Sequence, residues 1–275
     1  MFTVLDAKSG YLQIKLDYES SLLITMNTPI GRYRWFKLPF GIKSAPELYQ
    51  RAMDEIFEDI DHANAIMDDI LIAGRDIAHH DSVLEAVLNR ARTYNLKLNF
   101  EKVRVRKQQV QYVGHIISAE GLKPDPEKVR AMKDMPPPET KDLHRFLGSI
   151  QYLAKFLLML AEVKTPLQEL TRKDVLFHWD KPQAAAFQKL KDMCCEAPVL
   201  AYYDVRKDVT IQCDASKSAV AAVLLQEGRP IAYASRKLQA SELNWAPIEK
   251  EMLAIGFSTQ KFWEKQLWSR LTTNP

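Results

Sequence analysis

The sequence has few cysteines, no long hydrophobic run and little net charge. Its cysteines, Cys194, Cys195 and Cys213, match neither a disulfide framework nor a metal-ligand spacing, which favours a reducing, intracellular setting. The longest apolar run, around 156–161, is far too short to cross a bilayer, and no signal-peptide pattern is visible. We therefore expect no membrane partner. The net charge of +3 permits a polyanionic partner without requiring one.

A length of 275 residues with 47% hydrophobic and 27% charged residues is typical of a globular chain with two or three compact units. Proline clusters at 124–126 and 136–138 mark a break in the chain. Mixed strand and helix patterns precede this break, helical patterns follow it, and strands then a helix occupy the C-terminal part. We predict an α+β unit at 1–122, a helical unit at 123–195 and a third unit at 196–275.

A helix is predicted over 44–58, where apolar residues recur at helical spacing. Ser44 and Glu47 have the spacing of a capping box at its start. A second helix is predicted over 80–93, and strands are predicted at 96–98 and 110–117.

Asp68 and Asp69 lie between two short aliphatic runs, 65–67 and 70–73, which read as buried strands. The pair would then lie at the tip of a β-hairpin, where adjacent like charges are costly to bury unless a cation binds there. The alternative is an ordinary turn, because Asp is a common turn residue.

A third carboxylate, Asp6, ends another predicted strand at 2–5. Three carboxylates on strand ends of one sheet could hold two divalent ions, which is the arrangement that phosphoryl transfer needs. Oxygen ligands without His or Cys nearby favour Mg²⁺ over Zn²⁺.

The motifs around these residues resemble the reverse transcriptase of gypsy-class long-terminal-repeat retrotransposons, and the resemblance runs over nearly the whole chain. Five segments occur in the order of that family: Leu5–Tyr11, Leu38–Gly41 with Ser44–Pro46 and Gln50, Met67–Ile72, Leu96–Lys102, and Tyr112–His115. The resemblance implies a polymerase palm with a helical thumb, followed by a truncated α/β ribonuclease H-like domain.

For the palm, the resemblance implies that Asp6, Asp68 and Asp69 bind two Mg²⁺ ions, with Mn²⁺ as a possible substitute. It implies RNA-directed DNA synthesis from deoxynucleoside triphosphates on an RNA or DNA template with a primer. Tyr11 corresponds to the side chain that blocks a ribose 2′-hydroxyl; the alternative is a core aromatic residue.

Two further groups of residues take their roles from the same resemblance. Phe40 and Gly41 would pack near the incoming nucleotide. The primer-grip hairpin would position the primer end. This hairpin consists of Tyr112, Val113, Gly114 and His115. For His115, a purely structural role is an equal alternative.

In the thumb, the resemblance and several basic residues indicate contact with the template–primer backbone, although any one of them could simply lie on a solvated helix face. These are Lys128, Arg130, Lys133, Lys141, Arg145 and Lys155.

The C-terminal part resembles the start of a ribonuclease H domain, which hydrolyses the RNA strand of an RNA–DNA hybrid with two metal ions. Asp214 and Glu251 would be its catalytic, metal-binding carboxylates, with Glu249 as the alternative to Glu251.

Two parts of the family pattern are missing from the sequence. No fingers region precedes Asp6, and no third ribonuclease H carboxylate follows in 269–275. We therefore expect ribonuclease H activity to be absent or very weak. Polymerase activity is the leading hypothesis, and a catalytically dead remnant or a co-opted nucleic-acid- or protein-binding module is the alternative. The resemblance places such a protein in cytoplasmic particles or the nucleus.

Overall fold

The computed structural model describes residues 1–172 and 174–272, with the backbone alone for residues 140, 141 and 264–272. It divides the chain into two compact units, Met1–Ala119 and the residues from Glu120 onward. The predicted boundary at 122/123 lies near this division, whereas the one at 195/196 falls inside the second unit. The threefold division therefore stays a prediction. Among the described residues, no helix is both long and apolar enough to span a membrane.

The first unit mixes helices with short antiparallel strands, as predicted for an α+β fold. In chain order its elements are β1 (Phe2–Asp6), α1 (Tyr18–Leu23), β2 (Thr25–Thr28), β3 (Gly31–Arg34), α2 (Ala45–Phe57), β4 (Ala63–Ile66), β5 (Asp69–Ala73), α3 (Ile77–Thr93), β6 (Arg104–Lys107), β7 (Gln109–Tyr112) and β8 (His115–Ser118).

The main sheet of this unit has the strand order β4-β5-β1-β6. Strands β4 and β5 form the predicted hairpin, but its loop is Met67 and Asp68, one residue earlier than the predicted Asp68–Asp69 tip, because Asp69 pairs with Ile66 as the first residue of β5. Met67 has a φ of 53°, in the left-handed region. Strand β1 pairs antiparallel with β5, so that Asp6 lies directly opposite Asp69. The register therefore brings together residues that are far apart in sequence.

Helices α2 and α3 cover one face of the sheet, because apolar side chains recur on their inner faces. Tyr49, Met53 and Phe57 of α2 pack with Ile70 of β5 and Val87 of α3. Burial of these aromatic and aliphatic side chains is the main stabilising term for the unit.

The predicted capping box at Ser44 is wrong. Ser44 has helical backbone angles and makes no side-chain hydrogen bond to the helix. An N-cap residue needs an extended backbone for its oxygen to reach the first-turn N–H groups, and Ser44 lacks that backbone.

Two other predictions along this unit need correction. Helix α3 begins at Ile77, three residues before the predicted start, because the Asp76 side chain accepts a hydrogen bond from the His79 N–H and caps it. The predicted strand at 96–98 is reduced to one bridge between Leu98 and Ala7.

A buried polar network ties β1 to α3 and β6. The Arg106 N–H donates to Thr3 Oγ1 at 3.1 Å. Thr3 Oγ1 lies 2.8 Å from His80 Nε2, and His80 Nδ1 lies 3.1 Å from Asp81 Oδ1. Because the Asp81 carboxylate can only accept, Nδ1 of the neutral imidazole carries the proton, and Nε2 then accepts from the Thr3 hydroxyl. The Arg106 guanidinium pairs with Asp81 and lowers the pKa of that carboxyl.

We expect Thr3→Val to destabilise the protein by about 2 kcal/mol, because it removes the partner of both the Arg106 N–H and His80 Nε2 at a site with no exposed surface. Urea unfolding followed by circular dichroism measures the change. Thr3→Ser, which keeps the hydroxyl, is the matched control. If the valine variant unfolds no more easily than the serine variant, the hydroxyl has no structural role.

The second unit combines a helical part with a three-stranded sheet. Its elements are β9 (Gly121–Pro124), α4 (Pro126–Lys133), α5 (Thr140–Tyr152), α6 (Leu160–Val163), α7 (Thr165–Glu169), α8 (Lys181–Cys195), β10 (Thr210–Ala215), β11 (Ala219–Gln226), β12 (Arg229–Lys237) and α9 (Pro247–Thr272).

The helical part packs around Leu143, Phe146 and Ile150 of α5 and Phe187 and Leu190 of α8. These residues recur three or four positions apart on their helices, as the apolar pattern of the middle segment predicts.

The sheet of the second unit has the order β10-β11-β12 and is antiparallel throughout. Helix α9 packs on it through Ala254 and Phe262. The helical part is bonded to the sheet, since the Ala161 N–H donates to Ser235 Oγ at 2.9 Å and Lys237 pairs with Glu169. One continuous unit therefore contains both.

Candidate functional site

Asp6 and Asp69 face the same cleft at the end of the main sheet. They are register partners on β1 and β5, and they line an open cleft of about 500 Å³ together with Lys102, Val113 and Gly114. The sheet thus brings two of the three predicted metal-binding carboxylates together.

Asp68 lies in the turn before Asp69, and its Oδ1 atom is buried against Gly10 and Tyr49. A β-carbon on Gly10 would overlap both Asp68 Oδ1 and the Tyr49 hydroxyl, so the two oxygens adjoin each other over the glycine. Neither oxygen has a partner with hydrogen-bond geometry among the described residues. Tyr49 is nevertheless close enough to lower the pKa of Asp68, as a hydrogen-bond donor does.

The carboxylates of this site repel one another. Burial, followed by the charge of Asp6, raises the pKa of Asp68 despite the opposing effect of Tyr49. Burial, then Asp6 and Asp68, raise the pKa of Asp69. Lys102 supplies the compensating charge, with its Nζ atom 3.0 Å from Asp6 Oδ2. The hydrogen bond to Asp6 raises the pKa of Lys102.

These residues fit a divalent cation by their chemistry. All three candidate ligands supply hard carboxylate oxygens, and the pKa values of Asp68 and Asp69 are raised, as is expected of crowded carboxylates without a cation. In the part of the chain that the structure describes, no three acidic, His or Cys side chains already converge at metal-binding distance. Binding would therefore require side-chain rotation, including release of Asp6 by Lys102.

Gln50 of α2 forms hydrogen bonds to the backbone of the β4–β5 hairpin. Its Oε1 accepts from the Met67 N–H at 2.8 Å, and its Nε2 donates to the Ala65 carbonyl at 2.9 Å and to Asp54. These bonds satisfy backbone groups next to the turn and fix the position of Asp68 and Asp69.

The predicted nucleotide-binding residues also come together. The Tyr11 ring meets the Phe40 ring edge-on at 5.3 Å and the Tyr49 ring at 5.2 Å. Gly41 follows Phe40 with a φ of 89°, a backbone conformation that glycine adopts without strain. A continuous aromatic contact therefore joins Phe40 and Tyr11 to Tyr49, which in turn adjoins Asp68.

The primer-grip residues form the turn and flanks of the β7–β8 hairpin. The buried Tyr112 hydroxyl lies 3.0 Å from both the carbonyl and the side-chain oxygen of Asn64, which ties this hairpin to β4. Val113 and Gly114 have φ values of 44° and 69°, as a type I′ turn requires. This conformation is unfavourable for the β-branched Val113, so local strain is stored beside the cleft. His115 is buried.

Comparison with protein families identifies the architecture. Residues 1–117 match the reverse transcriptase (RNA-dependent DNA polymerase) family, and residues 179–272 match the RNase H-like domain found in reverse transcriptase. Residues 1–117 therefore form a reverse transcriptase domain, and residues 179–272 form an RNase H-like domain of the kind found in reverse transcriptase. The predicted resemblance and the α+β fold class are thereby confirmed.

Relatives and solved structures agree with this assignment. The chain is 38% identical to the Retrovirus-related Pol polyprotein from transposon opus and 34% identical to that from transposon gypsy, both of Drosophila melanogaster; each match covers 94% of this chain and 27% of the relative. The structure of the foamy viral protease-reverse transcriptase dRH in complex with ds DNA superposes with a TM-score of 0.87 at 20% identity, over 96% of this chain and 47% of that one.

The sequence interpretation assigned no role in the candidate site to several residues that form it. Gly10 and Gln50 were quoted as parts of motifs without a role, Tyr49 was assigned to the apolar helix face, and Lys102 to the fourth motif. One signal was available: a tyrosine on a buried helix face carries a hydroxyl that requires a partner.

The ribonuclease H candidates are placed less favourably. Cys213 and Ala215 pack against α9, so the alternation along β10 directs Asp214, which is exposed, to the other face. Glu251 lies on α9 and is half-buried. Glu249 accepts a hydrogen bond from the Ala246 N–H, a capping role that leaves Glu251 as the better candidate. The assignment of Asp214 and Glu251 as metal ligands stays a prediction.

The basic residues of the predicted thumb have varied partners. Lys128 Nζ lies 4.3 Å from the centre of the Tyr152 ring, and Arg145 pairs with Asp142. The Lys141 side chain lies outside the described residues. A contact with nucleic acid through this face remains a prediction.

We expect Asp69→Asn to stabilise the metal-free protein at pH 7 by on the order of 1 kcal/mol, because it removes a half-buried charge near two other carboxylates. The pKa of Asp69 is raised in the folded state, so stability is lost as the pH rises from the ordinary carboxyl pKa of 3.8 to this raised pKa, and the loss is complete above it. The gain from asparagine should therefore disappear as the pH falls toward 3.8. Thermal unfolding in EDTA at pH 7 and pH 4 measures it, and an equal gain at both pH values would contradict the assignment to charge.

Proposed function

We propose that this chain provides the polymerase site of an RNA-directed DNA polymerase that acts within a longer Pol polyprotein. The chain spans about a quarter of the length of the curated relatives that it matches. The observation that carries the proposal is the opposition of Asp6 and Asp69 across two strands, with Asp68 in the adjoining turn. Three carboxylates at one sheet end are the donor set that nucleotidyl transfer requires.

In the proposed reaction, the primer 3′-hydroxyl oxygen attacks the α-phosphorus of a deoxynucleoside triphosphate. The new O–P bond forms as the bond between the α-phosphorus and its bridging oxygen breaks; pyrophosphate leaves, and the hydroxyl proton passes to water. Asp6, Asp68 and Asp69 would hold two divalent cations, Mg²⁺ or Mn²⁺. When bound, these cations would lower the pKa of the primer hydroxyl and neutralise charge on the leaving group.

The remaining residues would position the substrates. Tyr11, held edge-on by Phe40 and Tyr49, would exclude a ribose 2′-hydroxyl. Gly41, exposed and without a side chain, would allow the nucleotide to approach the backbone. The Val113–Gly114 turn lines the cleft of Asp6 and Asp69, where it would meet the primer end.

The proposed partners are an RNA or DNA template with its primer, and an RNA–DNA hybrid. This is supported by the solved foamy viral protease-reverse transcriptases, whose structures are complexes with dsDNA and with an RNA/DNA hybrid. An intracellular setting, in cytoplasmic particles or the nucleus, stays a prediction from the resemblance.

Primer extension on poly(rA)/oligo(dT) with Mg²⁺ or Mn²⁺ tests the proposal. Metal-dependent incorporation of dTTP by the purified chain supports the polymerase. The alternative, a catalytically dead remnant or a binding module, predicts template–primer binding in a gel-shift assay without extension.

A further inference from the structure

The Tyr49 hydroxyl is buried beside Asp68, next to the carboxylate site. Tyr49 is 2% exposed, and its ring is held from one side by Tyr11. Its hydroxyl oxygen reaches the same small space above Gly10 as Asp68 Oδ1. Because neither oxygen has another hydrogen-bond partner in the described chain, each is the only available partner of the other.

We propose that Tyr49 is a positioning residue for Asp68: its hydroxyl donates to Oδ1, which commits that oxygen to the protein and leaves Oδ2 for the divalent cation. This inference rests on the proposed polymerase function and adds a residue to it. The buried phenol can only act as the donor in this pair, since an ionised carboxylate has no proton to give.

The surroundings of the phenol support this direction of donation. Burial, followed by the charge of Asp68, raises the pKa of Tyr49 in the metal-free chain, which agrees with a phenol that acts as the donor. A hydrogen bond to a charged acceptor is about twice as strong as one between neutral groups, and it favours the ionised carboxylate that a cation needs. Gly10 is part of the arrangement, because only a residue without a side chain leaves room for both oxygens.

Tyr49 also connects this carboxylate to the predicted sugar gate. The Tyr49 ring contacts Tyr11, whereas its hydroxyl contacts Asp68. Tyr49→Phe separates the two roles, since it keeps the ring contact and deletes the hydroxyl alone.

Titration of the purified full chain with Mn²⁺, followed by the electron paramagnetic resonance signal of unbound Mn²⁺, tests the inference without any turnover. We expect Tyr49→Phe to raise the dissociation constant of the site about tenfold, because Asp68 loses the hydrogen bond that orients its Oδ2 atom toward the cation. The Mn²⁺ binding that is lost in Asp68→Asn is the binding that belongs to this site. Tyr94→Phe, which removes an exposed hydroxyl, is the matched control and should bind Mn²⁺ as the parent chain does.

The outcomes separate the inference from the proposed function. If the parent chain and Asp68→Asn bind Mn²⁺ equally, Asp68 is no ligand, and both the polymerase site and the role of Tyr49 are wrong. If Asp68→Asn loses a site that Tyr49→Phe retains at full affinity, the polymerase proposal stands and the inference about Tyr49 is overturned.

A second measurement covers the case in which Tyr49→Phe is unstable. In the parent chain labelled with ¹³Cζ-tyrosine, Mg²⁺ should shift one buried tyrosine resonance, because the ion draws charge from the carboxylate that the hydroxyl contacts. The same resonance should not move in Asp68→Asn. A Mg²⁺-dependent shift that persists in Asp68→Asn, or no shift in the parent chain, contradicts the contact.

Discussion

Asp68→Asn should lower primer extension on poly(rA)/oligo(dT) by at least about 10³-fold with either Mg²⁺ or Mn²⁺. The asparagine keeps the size of the side chain and removes the charge that would hold a cation beside the reacting phosphate, and such electrostatic stabilisation is usually the largest single contribution to catalysis. Single-turnover extension of a labelled primer, resolved on a denaturing gel, measures the loss.

Asp61→Asn is the matched control for this substitution. It removes an equivalent charge from an exposed loop residue a few positions before the hairpin, and extension should remain at the parental rate. Extension that survives in Asp68→Asn at more than a tenth of the parental rate would mean that the hairpin carboxylates do not bind the catalytic ions.

Gly10→Ala should reduce primer extension about 100-fold and destabilise the first unit by about 2 kcal/mol. The added methyl group would overlap Asp68 Oδ1 and the Tyr49 hydroxyl, so the turn and helix α2 must move apart to admit it. A displacement of even 1 Å in a catalytic group can cost this much in rate. Thermal unfolding and single-turnover extension, measured on the same preparation, report the two effects.

Gly256→Ala supplies the contrast. Gly256 lies in the interior of α9 with open space at the position of a β-carbon, so alanine there should raise stability by up to about 1 kcal/mol through helix propensity. If Gly10→Ala lowers neither stability nor primer extension, as expected for Gly256→Ala, then Gly10 is not closely packed against Asp68.

The parts of the site that could be predicted are those formed by residues close together in the sequence. The Asp68–Asp69 hairpin was visible because two aliphatic runs flank it within nine residues, and a two-residue loop between strands fixes its geometry. Helix α2 was visible from its apolar periodicity, to within one residue at each end. Asp6 was added to the site because it ends a predicted strand and belongs to the first family motif, and the structure shows that it lies directly opposite Asp69.

The contacts that shape the site were out of reach of the sequence because they depend on packing between distant segments. Lys102 meets Asp6 across 96 positions, and Tyr49 meets Asp68 only because α2 crosses the hairpin. Strand β6, whose four residues are all exposed, has no apolar alternation by which it could be recognised. Hydrophobic periodicity shows which face of a helix or strand is buried, but it does not show which other helix or strand packs against that face.

The position of β1 in the sheet has a consequence for synthesis on the ribosome. This strand is the earliest in the first unit, yet it lies in the interior of its sheet, between β5 and β6. Its partners are complete only once Ala73 and Lys107 have been added. At translation rates of about 5–20 residues per second, the apolar Val4 and Leu5 would remain unpaired for on the order of 5–10 s until β5 has been synthesised. Chaperones that bind short extended apolar segments would therefore be able to bind β1 before the carboxylate site has formed.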